Sequence, residues 1–325
     1  MCNYPRINVL KSRLTLAGKQ TLNMSEFEVQ EINCKTLLNK VTVPDYAFSW
    51  TLNPYRGCRY ACQYCYARST HEIGGVDLSA EFDRKVFAKV NAPEVLREEL
   101  RRPKWQGDPI AIGTASDPYE PAEAHYQLTR KIIKILTDFQ NPASINTKGV
   151  LVKRDVDVLR DLYQVADVQV VFSVGSVDES VWRTTEPSAP NPMERLEAMQ
   201  FLVEHGIPAG VMMAPLMPGI SDSSDSIEAV VEAAAQHKSR FISGSMLALK
   251  PGTKEWFAPL IRQSYPHLVP GYNELFGGKT YVPRDYSKQV LDLIESARRK
   301  WNLPLACPPR ELKGPQGQLG MILTA

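Results

Sequence analysis

The sequence has no apolar run approaching the roughly eighteen residues that a membrane-spanning helix needs, so no membrane partner is expected. Residues 1–30 carry Arg6, Lys11, Arg13 and Lys19 but no apolar h-region, so no secretory signal is read there and the expected compartment is the cytoplasm. Neither sign of charge is in excess. The 38 Lys and Arg against 36 Asp and Glu leave a formal net charge of +2, which gives no broad signal for polyanion binding. Local basic stretches, Arg97, Arg101, Arg102 and Lys104, then Arg298, Arg299 and Lys300, read as solvated helix faces that still leave room for a nucleic-acid partner. Cysteine is scarce. Six in 325 residues do not make a disulfide framework, and thiols that cluster in such a chain point to metal or redox chemistry.

What the chain does have is 43% hydrophobic residues in a regular alternation, with no internal repeat or low-complexity segment beyond it. Strands are expected at 48–54, 109–114, 143–148, 168–174, 207–215 and 240–247, all short, apolar or β-branched, and bounded by Gly, Pro or Asp. Amphipathic helices are expected at 93–100, 126–139, 156–166, 192–206 and 226–237, with Pro93 and Pro192 in first turns and Gly206 at a C-cap. Strands alternating with helices imply an α/β fold with a parallel sheet. The repeating part is short for a closed eight-stranded barrel, so a partial (β/α)6 TIM-like barrel is expected, with a flat doubly wound sheet as the alternative. Residues 1–47 read as an N-terminal extension, 48–250 as the core, and 251–325 as a C-terminal helical and irregular segment covering the barrel. That last segment holds one clear helix, 286–301, and a mobile tail at 314–320. In either topology ligands belong at the carboxyl ends of the strands.

The stretch GCRYACQYCYAR, Gly57 to Arg68, places Cys58, Cys62 and Cys65 in one loop after the first expected strand. Thiolates suit zinc or an iron–sulfur cluster. Zinc would want a fourth ligand, for which His71 is available. A [4Fe–4S] cluster held by three cysteines would leave one iron open.

The C-x3-C-x2-C spacing with Tyr64 before the last cysteine resembles the signature of the radical S-adenosylmethionine (SAM) superfamily. Over residues 45–250, NPYRGCRYACQYCYAR, GTASDPYEPAE, NTKG, FSVGSVDE and GVMMAPLMPGISD are similar to the branch that includes spore photoproduct lyase. FDRKVFAKVNAPEVLREEL is similar to an uncharacterised subgroup of that branch. The resemblance implies a [4Fe–4S] cluster on the three cysteines and SAM on the fourth iron. It also implies a flavodoxin- or ferredoxin-type one-electron reductant and a 5′-deoxyadenosyl radical that abstracts hydrogen from substrate. A nucleic acid or nucleotide is the first substrate class considered. A small molecule or a protein side chain is the second, and a non-enzymatic iron–sulfur or zinc protein is the third reading.

By the same resemblance Tyr64 packs near adenine, Lys148 and Ser173 contact the methionyl carboxylate or ribose, and backbone groups of 212–219 meet adenine. The superfamily's Gly-Gly-Glu motif is missing after the second strand. Ser116 and Asp117 are the nearest acceptors there for the SAM ammonium, with Asp117 also readable as a turn residue before Pro118. Arg56, Arg59 and Arg68 flank the cysteines. Glu120, Glu123, Arg183 and Glu186 are polar groups near the expected mouth, read as ion pairs with each other or as substrate contacts. The lyase uses a cysteine as hydrogen-atom donor where this chain has Ala115 and Ser116, so its repair chemistry does not transfer directly. Cys307 is the replacement donor to consider if the C-terminal segment folds over the mouth. Otherwise it is a small apolar core residue.

Overall fold

The computed structural model describes residues 27–41, 48–73, 76–77 and 79–307. The strands are β1 (Glu28–Ile32), β2 (Leu38–Lys40), β3 (Trp50–Leu52), β4 (Tyr55–Arg56), β5 (Glu72–Ile73), β6 (Val76–Asp77), β7 (Lys85–Lys89), β8 (Ile110–Ile112), β9 (Ala143–Thr147), β10 (Val168–Ser173), β11 (Ala209–Leu216) and β12 (Ile242–Met246). The helices are α1 (Ala92–Leu100), α2 (Glu123–Tyr126), α3 (Leu128–Asp138), α4 (Val156–Val165), α5 (Glu179–Thr185), α6 (Pro192–Glu204), α7 (Ser224–Gln236), α8 (Thr253–Ser264), α9 (Val269–Phe276) and α10 (Arg284–Lys300).

Seven strands form one sheet in the order β12-β11-β10-β9-β8-β3-β2. The six from β3 to β12 run parallel and in chain order, and β2 adds an antiparallel edge. The sheet stays open, with β2 and β12 as its edges among the described residues. Each crossover steps to the next strand in the same direction, and right-handed connections therefore stack the helices on one face. Pleating divides each strand between two faces. Ile110, Ile112, Ile145, Val170, Phe172, Val211 and Ile242 join the main core, with Leu96, Ile132, Leu159, Leu196 and Val230 from the helices. The alternate residues, among them Ser144, Asn146, Gln169, Ser173, Met212 and Ser243, point to the other face.

A second sheet, β1-β7-β4, lies beside the first, with β1 parallel and β4 antiparallel to β7. Its β1 comes from the stretch read above as an N-terminal extension. The C-terminal segment divides in two. Phe257 and Ile261 of α8, and Tyr272 and Phe276 of α9, share an apolar cluster with Cys58, Cys62 and Tyr64. In contrast, Val290, Ile294 and Ala297 of α10 belong to the main core. The tail at 314–320 and Cys2 lie outside the described residues.

The turn into the cysteine loop depends on Gly57. Its φ is +83°, and a Cβ there would stand 2.5 Å from the Lys85 carbonyl oxygen and 2.9 Å from that of Phe82. Both atoms are backbone, so neither yields cheaply. Gly57→Ala is expected to cost about 1–3 kcal/mol for the backbone conformation alone, with the steric clash added. Thermal unfolding of the variant checks this.

Candidate active site

β4 delivers the chain to Gly57, and Cys58 N–H is then held by the Phe82 carbonyl at 3.0 Å. The loop turns through Ala61 at φ +53°, Gln63 N–H donates to Thr185 O at 2.9 Å, and Cys65 N–H donates to Cys62 O at 3.2 Å. Cys58 and Cys62 are buried and Cys65 is half-buried. Burial raises all three thiol pKa values, that of Cys62 to about 12, while Lys148 and Arg195 pull the Cys62 value back. Ligands of this kind need a cationic centre to hold them as thiolates.

Among the described residues, no three His, Cys, Asp or Glu side chains converge on one point as a single metal ion requires. His71, the available zinc ligand, packs instead against Phe82 and Phe87 at ring distances of 5.3 and 5.5 Å. Its pKa falls to about 4, first through burial and then through Arg56 and Arg68. Three soft thiols spread along one loop suit separate irons of a cluster better than one zinc ion. Arg68 is buried with its guanidinium 3.7 Å from the Trp256 ring centroid, and Arg59 lies 3.8 Å over Phe27.

Next to Cys62 stands a buried polar network. Lys148, one residue past β9, donates from Nζ to Ser173 Oγ at 2.9 Å, and Ser173 Oγ donates to Ala214 O at 2.6 Å. Lys148 Nζ is 5.6 Å from the Tyr64 ring centroid and 3.9 Å from Glu186 Oε1. Tyr64 OH donates to Glu186 Oε1, and Arg195 pairs with Glu186 Oε2. Burial works against both charges, but for Lys148 the nearby Cys62 and Glu186 outweigh it and hold the ammonium pKa above its usual value. For Glu186, Arg195 and Lys148 outweigh burial and hold the carboxyl below its usual range. Thus Tyr64, Lys148 and Ser173 come together at the carboxyl ends of the strands. Glu186 is ion-paired, though not with Arg183, which bonds to Glu179 one helical turn away.

Arg195 escaped the sequence reading. It lies on the buried stripe of α6 with Pro192, Leu196, Met199 and Leu202. A lone charge on an apolar stripe is the signal that would have found it. Asn191 caps α6, with Glu194 completing the box, and so fixes the turn that carries Arg195.

Ser116 Oγ donates to Gly57 O at 2.6 Å, tying the loop after β8 to the cysteine loop. Asp117 accepts from Tyr119 N–H at 2.9 Å, Thr147 Oγ1 at 2.6 Å and Lys148 N–H at 2.6 Å. It therefore acts as a turn residue that also sets the backbone of Lys148. Glu123 is structural as well, held by Arg154 at 2.8 Å and by Tyr55.

Glu120 is fully buried. One oxygen accepts from Ala122 N–H at 2.9 Å and the other has no partner. Burial raises its pKa to about 8. The folded state therefore keeps a proton that the unfolded chain loses near pH 4.5, and this group lowers stability as pH rises from 4.5 toward 8. Glu120→Gln is expected to match the parent at pH 5 and to exceed it by on the order of 3 kcal/mol at pH 8.5. Denaturant unfolding at the two pH values checks this.

Cys307 calls for a correction. The Pro304 carbonyl accepts from Ile242 N–H at 2.9 Å, and the charges acting on the Cys307 thiol are Arg240 and Asp167. Both precede their strands, so Cys307 lies at the amino ends of the sheet, opposite the cysteine loop. The packing of α10 on the outer layer carries it there, and it does not face the mouth.

A family model described as the radical SAM superfamily matches residues 52–235. The chain belongs to the radical SAM superfamily. It is an enzyme with a radical SAM domain on a mixed α/β fold. A protein of Mycobacterium tuberculosis described as uncharacterised is 35% identical over 276 residues, 84% of this chain and 81% of the relative. One of Methanocaldococcus jannaschii, also described as uncharacterised, is 27% identical over 274 residues, 83% of this chain and 95% of the relative. Spore photoproduct lyase complexed with dinucleoside spore photoproduct matches in structure at TM-score 0.66 and 14% identity, over 84% of this chain and 79% of that one. A double mutant of the lyase with bound AdoMet and dinucleoside spore photoproduct matches at 0.65 and 15%, over 89% and 84%. At such identities the likeness is one of fold. No helix among the described residues is long and apolar enough to cross a membrane.

Proposed function

We propose that this radical SAM enzyme holds a [4Fe–4S] cluster on Cys58, Cys62 and Cys65 and binds SAM between that loop and β9–β11. When bound, the cluster and SAM, with one electron from a flavodoxin- or ferredoxin-type reductant, supply a 5′-deoxyadenosyl radical that takes hydrogen from a substrate. The observation that carries this reading is the Lys148–Ser173 pair next to Cys62 and Tyr64 at the strand ends. The Lys148 ammonium meets the SAM carboxylate in a charge-assisted bond. Ser173 sets the direction of that ammonium. Tyr64 closes one side of the adenine end, and the β11 backbone from Met212 to Leu216 borders the other. Ser116 and Asp117 border the amino group of SAM, with Asp117 acting chiefly through the backbone of Lys148.

For the substrate, fold likeness to a protein whose structure holds a dinucleoside supports a nucleotide or nucleic acid. Five of the seven residues in the basic stretches already have acidic partners. Arg97 pairs with Asp138, Arg101 with Glu98, Arg298 and Arg299 with Glu295, and Lys300 with Glu228. Ala115 and Ser116, where the lyase carries its donor cysteine, argue against the same repair reaction.

The test is electron paramagnetic resonance of the anaerobically reconstituted, reduced protein. SAM is expected to change the spectrum of a cluster with one open iron. A spectrum indifferent to saturating SAM contradicts the reading.

A further inference from the structure

Arg195 uses all three guanidinium nitrogens locally. Nε donates to Pro190 O at 2.8 Å, Nη1 to Ser173 O at 2.9 Å, and Nη2 is paired with Glu186 Oε2. It is 1% exposed. Glu186 in turn uses Oε1 for the Tyr64 hydroxyl and Oε2 for Arg195. Both oxygens are thereby engaged by groups other than Lys148. Glu186 stays 3.9 Å from Nζ, an ion-pair separation but not a hydrogen bond. Among the described residues, the Lys148 ammonium makes one hydrogen bond, to Ser173 Oγ. Two N–H donors are left over.

The acidic groups acting on the Lys148 ammonium are Cys62, Glu186 and Asp117, and Asp117 spends its oxygens on Tyr119 N–H, Thr147 Oγ1 and the Lys148 backbone N–H. The remaining Nζ donors are therefore open to an incoming anion, which they would meet in charge-assisted bonds. Without Arg195, Glu186 Oε2 would lose its partner, and the carboxylate, whose Oε1 already stands 3.9 Å from Nζ, would be free to turn toward that ammonium.

We infer that Arg195 is a positioning residue for SAM binding: by occupying Glu186 it keeps Lys148 available for an incoming carboxylate. Its contact to the Ser173 carbonyl supports the same end, since Ser173 aims Lys148. This inference rests on the proposed SAM site.

The test is SAM affinity, measured by equilibrium dialysis on anaerobically reconstituted protein and expressed per loaded cluster. Arg195→Gln is expected to weaken SAM binding at least about tenfold, because the freed carboxylate competes for Lys148. Adding Glu186→Gln in that background is expected to restore most of the affinity. A residue with a merely structural role would show further loss on the second change. Glu186→Gln alone keeps the size of the side chain and is expected to leave the affinity equal or tighter, a measurement that stands even if Arg195→Gln does not fold. The inference is overturned by unchanged affinity in Arg195→Gln, by no recovery in the double variant, or by a tenfold loss in Glu186→Gln. A parent protein that binds no SAM would overturn the proposed function instead.

Discussion

Cys62→Ala, reconstituted under the same anaerobic conditions as the parent, is expected to hold less than one intact cluster per chain and to form 5′-deoxyadenosine only at the level of a protein-free control. Cys62 is the thiol that borders the Lys148 network. It is buried, its pKa is pushed up to about 12, and the two cations Lys148 and Arg195 act on it. The same loss is expected for Cys58→Ala and Cys65→Ala. Cys34→Ala and Cys307→Ala serve as controls. Cys34 N–H bonds to the Asn91 side chain, and Cys307 stands at the amino ends of the strands, so neither is expected to change cluster content. Iron and sulfide analysis checks cluster content, and chromatography checks the nucleoside.

The second large effect belongs to Lys148. Lys148→Met is expected to weaken SAM binding by roughly ten- to a hundredfold, the value of a charged hydrogen bond of about 1.5–3 kcal/mol. The protein is expected to fold, because Glu186 keeps both Tyr64 and Arg195 as partners when Lys148 is lost. The effect should fall on SAM affinity before it falls on cluster content. Arg183→Met, on α5 in the segment that carries Glu186 but turned to Glu179, should leave affinity unchanged. The pH dependence has a definite sign. The Lys148 pKa is held above its usual value, so the ammonium stays charged from pH 7 to 9 and the affinity lost in Lys148→Met should be the same across that range. Isothermal titration or equilibrium dialysis across that range checks both statements.

The barrel strands were readable because a parallel strand buried on both faces has a simple signature, a short apolar run between turn residues. Expected strands at 143–148 and 168–174 became Ala143–Thr147 and Val168–Ser173. The helix expected at 126–139 is broken at Gln127, whose φ of +52° separates α2 from α3. Nothing in an apolar count marks a left-handed polar residue. The small sheet was missed because β1 pairs with β7 across more than fifty residues, and no local pattern records such a partner. In the site, the cysteine loop and Lys148 were legible from spacing and strand-end position. Arg195 and its hold on Glu186 were not, because an ion pair between a loop and the helix after it appears only once both are folded. Asp117 turned out to bond three neighbouring groups, the turn role its place before Pro118 suggested. The donor role for Cys307 was conditional on the C-terminal segment folding over the mouth; Ile294 of α10 packs outside β12 against Gly244, and Cys307 follows it to the amino ends of the strands.

The central claim is that the three-cysteine loop and the Lys148 network exist to cleave SAM. The most direct measurement is 5′-deoxyadenosine formed by anaerobically reconstituted parent protein with dithionite and SAM, no other substrate being added. The account predicts that the nucleoside accumulates with time in proportion to cluster content. A fully loaded four-iron protein that leaves SAM intact under these conditions would contradict it.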